Sequence, residues 1–385
     1  MKILILTFYY KPDLCAGSFR TTAFVDELQK LVEKDTKIEV ITTLPNRYHS
    51  FKQKALACES VGNVTIRRIK LPGHKSGMLD QARSFIKYTF EVLPIVINKE
   101  YDLVFATSSR LFTAFLGSLV ARKTEAKLYL DIRDIFTDTL EDVLKNRFLK
   151  LLIPIFLQVE KFTIRSACRV NLVSQGFLNY FKSVAPNQKF SFYPNGIDNE
   201  FLDYDFTKIS LTSKEIILYA GNIGDGQGLD KIVPECAHIL SDCEFWIVGD
   251  GSTRSKLETE MQRYNISNVR LFDPVCRSEL LNLYAQCDYL FLHLNDYPAF
   301  KKVLPSKVFE YAATGKPVIA GVAGYARNFI EHNIKGSVVF DPCSVNGFIQ
   351  AFELLPKTMV QRIEFIEKYQ RQNISQEMAA ELLLI

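Results

Sequence analysis

Leu304-Pro305-Ser306-Lys307-Val308-Phe309-Glu310-Tyr311-Ala312-Ala313-Thr314-Gly315-Lys316-Pro317-Val318-Ile319-Ala320 carries the punctuation of a loop, a short helix and a buried strand in immediate succession. Pro305 and Ser306 stop an extended segment and supply a helix N-cap, Lys307 to Thr314 forms the helix, Gly315 ends it, and Pro317 opens an apolar strand. The start of such a helix offers unpaired backbone N–H groups and a partial positive charge. Lys307 adds a full charge at the same end, which outlines a phosphate site. Glu310 lies close to one turn beyond Ser306, where its carboxylate can face the same ligand and accept hydrogen bonds from sugar hydroxyls. The same residues also suit an ordinary helix–strand unit with a solvated Lys and a surface Glu.

Alternation of buried strand and helix extends over the whole chain. In the first half, strands are expected at Lys2–Leu6, Ile38–Thr42, Val64–Arg68, Leu103–Ala106, Leu128–Leu130 and Val170–Val173, with helices at Thr21–Glu33, Ser84–Ile97 and Phe148–Ser166. Continuous apolar strands between helices mean a parallel sheet covered on both faces. After Pro194-Asn195-Gly196-Ile197-Asp198 the pattern loosens through Phe201–Ser213, which reads as a linker. It restarts with strands at Ile216–Ala220, Phe245–Val248, Val269–Phe272, Tyr289–Leu294, Val318–Ala320 and Val338–Phe340. A chain of 385 residues suits two domains. The expectation is an α/β protein with two doubly wound, Rossmann-like domains, 1–200 and 201–360, whose parallel sheets face across a cleft, followed by an amphipathic helix from about Val360 to Ile385.

Composition narrows the function. Hydrophobic residues at 48% and charged residues at 23% describe a globular protein, and a net charge of +4 is too small to argue for nucleic acid. The eight cysteines are scattered, with no C-x-x-C pair, and read as reduced thiols of a cytoplasmic protein. Met1-Lys2 runs directly into Ile3-Leu4-Ile5-Leu6, a first strand rather than a targeting peptide. The apolar run from Phe148 to Leu157 is broken by Lys150 and Pro154, so no membrane span is expected. Neither first strand is followed by G-x-G-x-x-G and no Walker A motif occurs, which disfavours a dehydrogenase and a P-loop NTPase. His49, His74, His238, His293 and His332 are isolated, and His293, inside a buried strand, reads as a core residue. Asp203-Tyr204-Asp205 imitates a metal-binding D-x-D, but it lies in the linker without a buried strand before it. No metal and no other cofactor is expected.

Three further stretches carry chemistry. In Thr7-Phe8-Tyr9-Tyr10-Lys11-Pro12-Asp13-Leu14-Cys15-Ala16-Gly17-Ser18-Phe19-Arg20, Gly17 precedes a helix and permits close backbone approach by a ligand, while Ser18 and Arg20 bring a hydroxyl and a guanidinium. In Tyr219-Ala220-Gly221-Asn222-Ile223-Gly224-Asp225-Gly226-Gln227-Gly228-Leu229, four glycines form a pliant loop whose N–H groups can reach a phosphate. In Tyr129-Leu130-Asp131-Ile132-Arg133-Asp134-Ile135-Phe136-Thr137-Asp138, a strand ends in charged groups, and Thr107-Ser108-Ser109-Arg110 ends the preceding one. Each also reads as ordinary structure: a capped loop, a flexible turn, an Arg–Asp pair tying a loop. Two helical stretches, Ser84–Lys99 and Lys145–Arg169, mix apolar residues with Lys and Arg, as helices lying on an anionic membrane do, although most such helices simply pack on a sheet.

The opening stretch resembles the donor-site signature of the retaining glycosyltransferases of family 4, in which a Pro-Ser-Lys, a helix carrying a Glu and a Gly-Lys-Pro-Val strand follow in this order. The resemblance spans most of the chain and is strongest from Tyr219 to Ala320. It implies the GT-B fold, a nucleoside diphosphate sugar as donor, and a last helix that braces the first domain. By the same resemblance Glu310 holds the ribose, Ser306 and Lys307 face the phosphates, Gly17 approaches the diphosphate or the acceptor, and the loop near Val275 receives the nucleobase. Gly221, Asn222 and Gly224 belong to the donor loop, but Asn222 and Gln227 stand where the family commonly has Arg and Lys. Lys302 occupies the place of the first of two family glutamates. The missing charge is then expected from Lys301, Lys302, Lys307 or Arg20. Arg133-Asp134 followed by a hydrophobic and an aromatic residue resembles the motif of bacterial transferases acting on aminosugars such as N-acetylfucosamine. Asp134, Arg133 and Lys307 are the implied catalytic residues, and Ser18, Arg20 and Ser108 the implied acceptor contacts.

The function implied is transfer of a sugar, UDP-linked by preference, to a glycan or a polyprenyl-pyrophosphate-linked acceptor in bacterial surface-polysaccharide synthesis, by a cytoplasmic enzyme peripheral to the membrane. Two rivals remain. A nucleotide-sugar epimerase on the same plan would form product without an acceptor. A catalytically silent nucleotide-sugar-binding subunit would bind donor without turning it over.

Overall fold

The computed structural model describes residues 1–45, 54–71, 78–108, 111–135, 137, 153–207 and 214–385. The chain forms two compact units, Met1–Asn195 with Arg371–Ile385, and Gly196–Gln370. The first boundary therefore falls at Asn195, before the expected linker.

In unit 1 the strands are β1 (Lys2–Leu6), β2 (Lys37–Thr43), β3 (Cys58–Val61), β4 (Val64–Ile69), β5 (Leu103–Thr107), β6 (Lys127–Ile132), β7 (Arg169–Leu172) and β8 (Phe190–Ser191). They form one sheet in the order β3-β4-β2-β1-β5-β6-β7-β8. Among the described residues of this unit only the β3–β4 pairing is antiparallel. Around it lie α1 (Ala16–Leu31), α2 (Met78–Val96), α3 (Leu111–Thr124), α4 (Ile153–Arg165) and α5 (Leu178–Val184). Ser84, Tyr88, Val92 and Val96, spaced by one turn on α2, are buried, the stripe that seats an amphipathic helix on a sheet. The Tyr88 hydroxyl donates toward Ile41 O at 2.9 Å and lies 3.2 Å from Thr7 O, pinning α2 to the carboxyl ends of β1 and β2.

Unit 2 contains β9 (Ile216–Ala220), β10 (Glu244–Val248), β11 (Val269–Phe272), β12 (Tyr289–His293), β13 (Val318–Gly321) and β14 (Ser337–Phe340) in an all-parallel sheet ordered β11-β10-β9-β12-β13-β14. Its helices are α6 (Asn199–Leu202), α7 (Val233–Ile239), α8 (Arg254–Arg263), α9 (Arg277–Gln286), α10 (Lys307–Ala313), α11 (Gly324–Asn333), α12 (Val345–Leu354) and α13 (Ile363–Lys368). Alternation along β9 splits the core in two: Ile216, Leu218 and Ala220 pack on one face, Ile217 and Tyr219 on the other. In each sheet the strand order reverses beside the first strand of the unit, between β1 and β5 and between β9 and β12. Ligands of doubly wound folds bind outside the carboxyl ends at such a reversal.

The single terminal helix expected from Val360 to Ile385 is broken. α13 belongs to unit 2, Gln370 bridges to Ile197, and α14 (Arg371–Leu383) belongs to unit 1. There Met378, Ala379 and Leu382 share a core with Phe24 and Leu28 of α1 and with Ile3, Phe105 and Tyr129.

Two buried polar groups lock these units. In unit 1, Arg20 Nε and Nη2 donate to the two carboxylate oxygens of Asp131, each at 2.8 Å, and neither residue is more than 2% exposed. The guanidinium also donates to Pro194 O at 2.6 Å and Tyr193 O at 2.8 Å. Burial alone would raise the Asp131 carboxyl, but Arg20, with Arg133 and Asn171, holds it below the ordinary aspartate range. In unit 2, His293 Nε2 accepts the Cys343 N–H at 2.9 Å, so Nδ1 carries the proton and donates to Gln227 O at 2.6 Å. Burial pushes this imidazole down to about 4, against the pull of the Gln227 carbonyl.

Removing one member of a buried ion pair strands the other, so Arg20→Gln is expected to lower unfolding stability by roughly 3–5 kcal/mol, read from urea titration by far-UV circular dichroism. An imidazole that resists protonation when folded and accepts it near pH 6.5 when unfolded makes stability fall as pH drops from about 6.5 to about 4. The loss attributable to His293 is on the order of 3 kcal/mol. Fluorescence of Trp246, the single tryptophan, reports unfolding of unit 2; in His293→Gln the decline over this window should flatten.

Candidate functional site

The carboxyl end of β9 opens into the glycine loop, and its path is set by close backbone contact. Gly221 has φ +140°, and a Cβ there would lie 2.2 Å from Lys307 Nζ. Gly249, at the end of β10 with φ +138°, leaves no room for a Cβ, which would sit 1.9 Å from the Gly221 carbonyl oxygen. The remainder of the loop is tied down. Asn222 Nδ2 donates to Gln227 Oε1 at 2.8 Å, Ile223 N donates to Asp250 O at 2.9 Å, and Asn295 N donates to Gly226 O at 2.9 Å. Gly224 lies within this turn, where a Cβ would sit 2.4 Å from Asn222 Nδ2. Asn222 and Gln227 thus bond to each other and bring no positive charge.

The charge comes from α10. Its first residue, Lys307, extends over the Tyr219 ring, with Nζ 5.0 Å from the centroid, and against Gly221. The helix is held to the sheet by Tyr311, whose buried hydroxyl accepts the Ala220 N–H at 3.1 Å. Glu310 is largely buried, and its Oε1 accepts from Arg277 Nη1 at 3.1 Å. Two expectations change. Ser306 lies in helical backbone conformation and makes no side-chain cap. The N–H groups of Val308 and Phe309 are bonded to the carbonyls of Pro305 and Ser306 at 3.1 and 3.2 Å. At this end the positive charge is therefore the ammonium of Lys307 more than open backbone donors.

The rest of the opening motif is architecture. Lys316 is buried, and its ammonium donates to Ala285 O and Cys287 O at 2.9 and 2.5 Å, capping the end of α9. Arg362, also buried, donates to Ala312 O and Lys316 O, and burial lowers its guanidinium to about 10. Lys302 ends a short 3-10 turn, Pro298–Lys302, and is partly buried, while Lys301 pairs with Asp296 at 3.3 Å. Val275 is partly buried against the unit 2 core.

In unit 1 the structure gathers Ala16-Gly17, Ser108 and Arg133 at the carboxyl ends of β1, β5 and β6. Ser108 Oγ accepts the Arg133 N–H at 2.8 Å, and Arg133 Nη1 donates to Ala16 O at 3.3 Å. α1 begins at Ala16, about a turn earlier than its periodicity suggests, so Gly17 and Ser18 are buried in its first turn rather than in a loop before it. Arg20, expected at a ligand, instead spends its guanidinium inside unit 1. Asp134 is exposed to solvent. Crowding by surrounding protein raises its carboxyl toward about 6, opposed by Arg133.

Asp205 accepts from the backbone and hydroxyl of Thr207, which closes a local turn. Among the described residues no cluster of three His, Cys, Asp or Glu side chains could hold a metal, and no helix is long and apolar enough to cross a membrane. Ser109, Arg110, Phe136, Asp138, His49, His74 and residues 145–152 of the second basic helix lie outside the described residues. Sequence reading missed Arg277. The one signal it offered is a cation at the first position of a helix, where the dipole disfavours it.

The pattern of the family Glycosyl transferases group 1 matches residues 203–372. The putative colanic acid biosynthesis glycosyl transferase WcaI of Escherichia coli (strain K12) is 26% identical over 405 aligned positions covering 96% of each chain. The 2-deoxystreptamine N-acetyl-D-glucosaminyltransferase of Niallia circulans is 24% identical over 157 residues, 40% of this chain and 39% of that one. Among solved structures, Anabaena HepE in complex with UDP-glucose superimposes with a TM-score of 0.72 at 16% identity, covering 100% of both chains. WaaG, a glycosyltransferase involved in lipopolysaccharide biosynthesis, superimposes with a TM-score of 0.61 at 15% identity, covering 99% of this chain and 95% of that one. The chain has the GT-B fold, and its residues 203–372, which hold Gly221, Arg277, Lys307 and Glu310, match the pattern of the group 1 glycosyl transferases.

Proposed function

We propose that this protein is a retaining glycosyltransferase that moves a sugar from a nucleoside diphosphate donor, UDP-linked by preference, to a glycan or polyprenyl-pyrophosphate-linked acceptor in bacterial surface-polysaccharide synthesis. The observation that carries the reading is the ammonium of Lys307 seated against Gly221 at the strand-order reversal of unit 2, with Glu310 on the same short helix. The names of WcaI and WaaG, which belong to polysaccharide and lipopolysaccharide synthesis, support the pathway class.

Lys307 gathers the negative charge that grows on the diphosphate as the bond from the anomeric carbon to the leaving oxygen breaks. This is stabilisation of the transition state more than of the ground state. Glu310 accepts from ribose hydroxyls and fixes the donor. Lys302 supplies a second cation to the donor. Ser306 and the backbone of Gly221, Asn222 and Gly224 line the phosphates, and Val275 lies by the base. In unit 1, Asp134 orients the acceptor hydroxyl, with Arg133 holding the carboxylate ionised and Gly17, Ser18 and Ser108 shaping the acceptor side. The acceptor oxygen bonds to the anomeric carbon on the face the diphosphate leaves, and its proton passes to a diphosphate oxygen. Arg20, interior to unit 1, is a structural support of this site rather than an acceptor contact. The reaction is read as metal-independent, with Lys307 and Lys302 neutralising the leaving group.

A lipid-linked acceptor requires the protein to reach a bilayer. On α2 the face opposite the buried stripe shows Ile86 at 55% and Phe90 at 71% exposure beside Arg83 and the Lys87–Glu91 ion pair, and its apolar residues with Arg83 suit an anionic, cytoplasmic membrane surface.

Thermal shift against UDP, GDP, ADP and CMP should single out one nucleoside diphosphate, because a ligand that binds only the folded state raises the midpoint. Glu310→Ala should abolish that shift and lower turnover by about tenfold or more while the protein stays folded. Asp134→Asn should keep the shift and lose turnover. Retained activity in Glu310→Ala would remove the donor assignment. Flotation with vesicles rich in anionic lipid should recover the wild type and recover much less of Phe90→Asp; equal recovery would remove the membrane face.

A further inference from the structure

Arg277 opens α9 at the end where a helix carries partial positive charge, an electrostatically poor place for a cation. Three carboxylates compensate. Nη1 donates to Glu310 at 3.1 Å, Nη2 to Asp198 at 2.5 Å and Nε to Glu200 at 3.0 Å, while the guanidinium lies over the Phe201 ring, 4.4 Å from its centroid. Its side chain is only 15% exposed, and those of Glu310 and Asp198 are 13% and 20% exposed. Burial disfavours the charged guanidinium, but Glu310 and Asp198 outweigh it and raise its proton affinity above the ordinary arginine value. A fork held along three edges is rigid, and so is the carboxylate it grips.

We propose that Arg277 is the positioning residue of the donor site: by occupying Oε1 of Glu310 it fixes the carboxylate plane and presents the Oε2 edge to a ligand's paired hydroxyls. This rests on the donor role proposed for Glu310. The contact does two things. It removes rotamer freedom before the ligand arrives, so less ordering accompanies binding. It also offsets the charge of Glu310, which would otherwise repel a diphosphate held by Lys307 on the same short helix. α6, which brings Asp198 and Glu200 close to Arg277, thereby becomes part of the donor site without touching the donor.

Titration calorimetry with UDP tests this, with GDP or ADP substituted if thermal shift selects one of them. Glu310→Gln should weaken binding by about tenfold or more, and Arg277→Gln by roughly five- to tenfold. The double variant should bind no more weakly than Glu310→Gln, because residues acting as one unit are non-additive. Arg277→Lys should recover part of the loss, since it restores the charge but not the planar fork that reaches three carboxylates at once. If Arg277→Gln does not fold, Asp198→Asn, which releases the Nη2 anchor, should weaken binding several-fold in the wild-type background and not at all in Glu310→Gln. Wild-type affinity in Arg277→Gln, additive losses in the double variant, or no recovery by Lys would overturn the inference while leaving Glu310 in place. Unchanged binding in Glu310→Gln would overturn the donor reading and this inference together.

Discussion

A carboxylate in a protein interior has to be matched by a cation in the right place, and at Asp131 that requirement organises unit 1. The partner, Arg20, comes from α1, and the second carboxylate contact, Asn171 Nδ2, comes from β7. The guanidinium then reaches the carbonyls of Tyr193 and Pro194, where the chain leaves the unit. One ion pair thus fixes the first helix, two neighbouring strands and the exit of the chain. Arg133 and Asp134 follow directly along the backbone, so their placement is inherited from it. Such a pair contributes little net stability over an apolar substitute, but breaking it strands a buried charge, so departures from this arrangement are costly.

Unit 2 reaches the same end mostly with backbone. Gly249 lets one strand end rest on the carbonyl of the next, His293 ties the glycine loop to Cys343, and Lys316 closes α9. These contacts leave the loop few ways to move. The ammonium of Lys307 and the carboxylate of Glu310 project from elements that are themselves anchored, as a site for a charged ligand requires.

Much of the fold was legible in the sequence because buried parallel strands are continuous apolar runs, and their bounds matched within a residue or two from Lys2–Leu6 to Ser337–Phe340. β3 was not legible: it is mostly exposed and becomes a strand only through its partner β4. The start of α1 was misplaced because Gly17 and Ser18 resemble loop residues, although tertiary packing buries them. Arg20 was read as a ligand contact because sequence shows a charge and not its partner 111 residues away. Glu310 and Lys307 stood out by motif, whereas Arg277 did not, since three carboxylates converging on it are a product of folding.

Because α14 completes a core begun by α1, unit 1 is written in two pieces with the whole of unit 2 between them. During synthesis Phe24 and Leu28 leave the ribosome long before Met378 and Leu382 exist, so a contiguous unit 2 can finish folding while unit 1 still carries an open hydrophobic seam. The last segment acts as a closing latch. Gene fragments cut at the unit boundary would therefore be unequal: one encodes a self-contained body, the other a body lacking its final side.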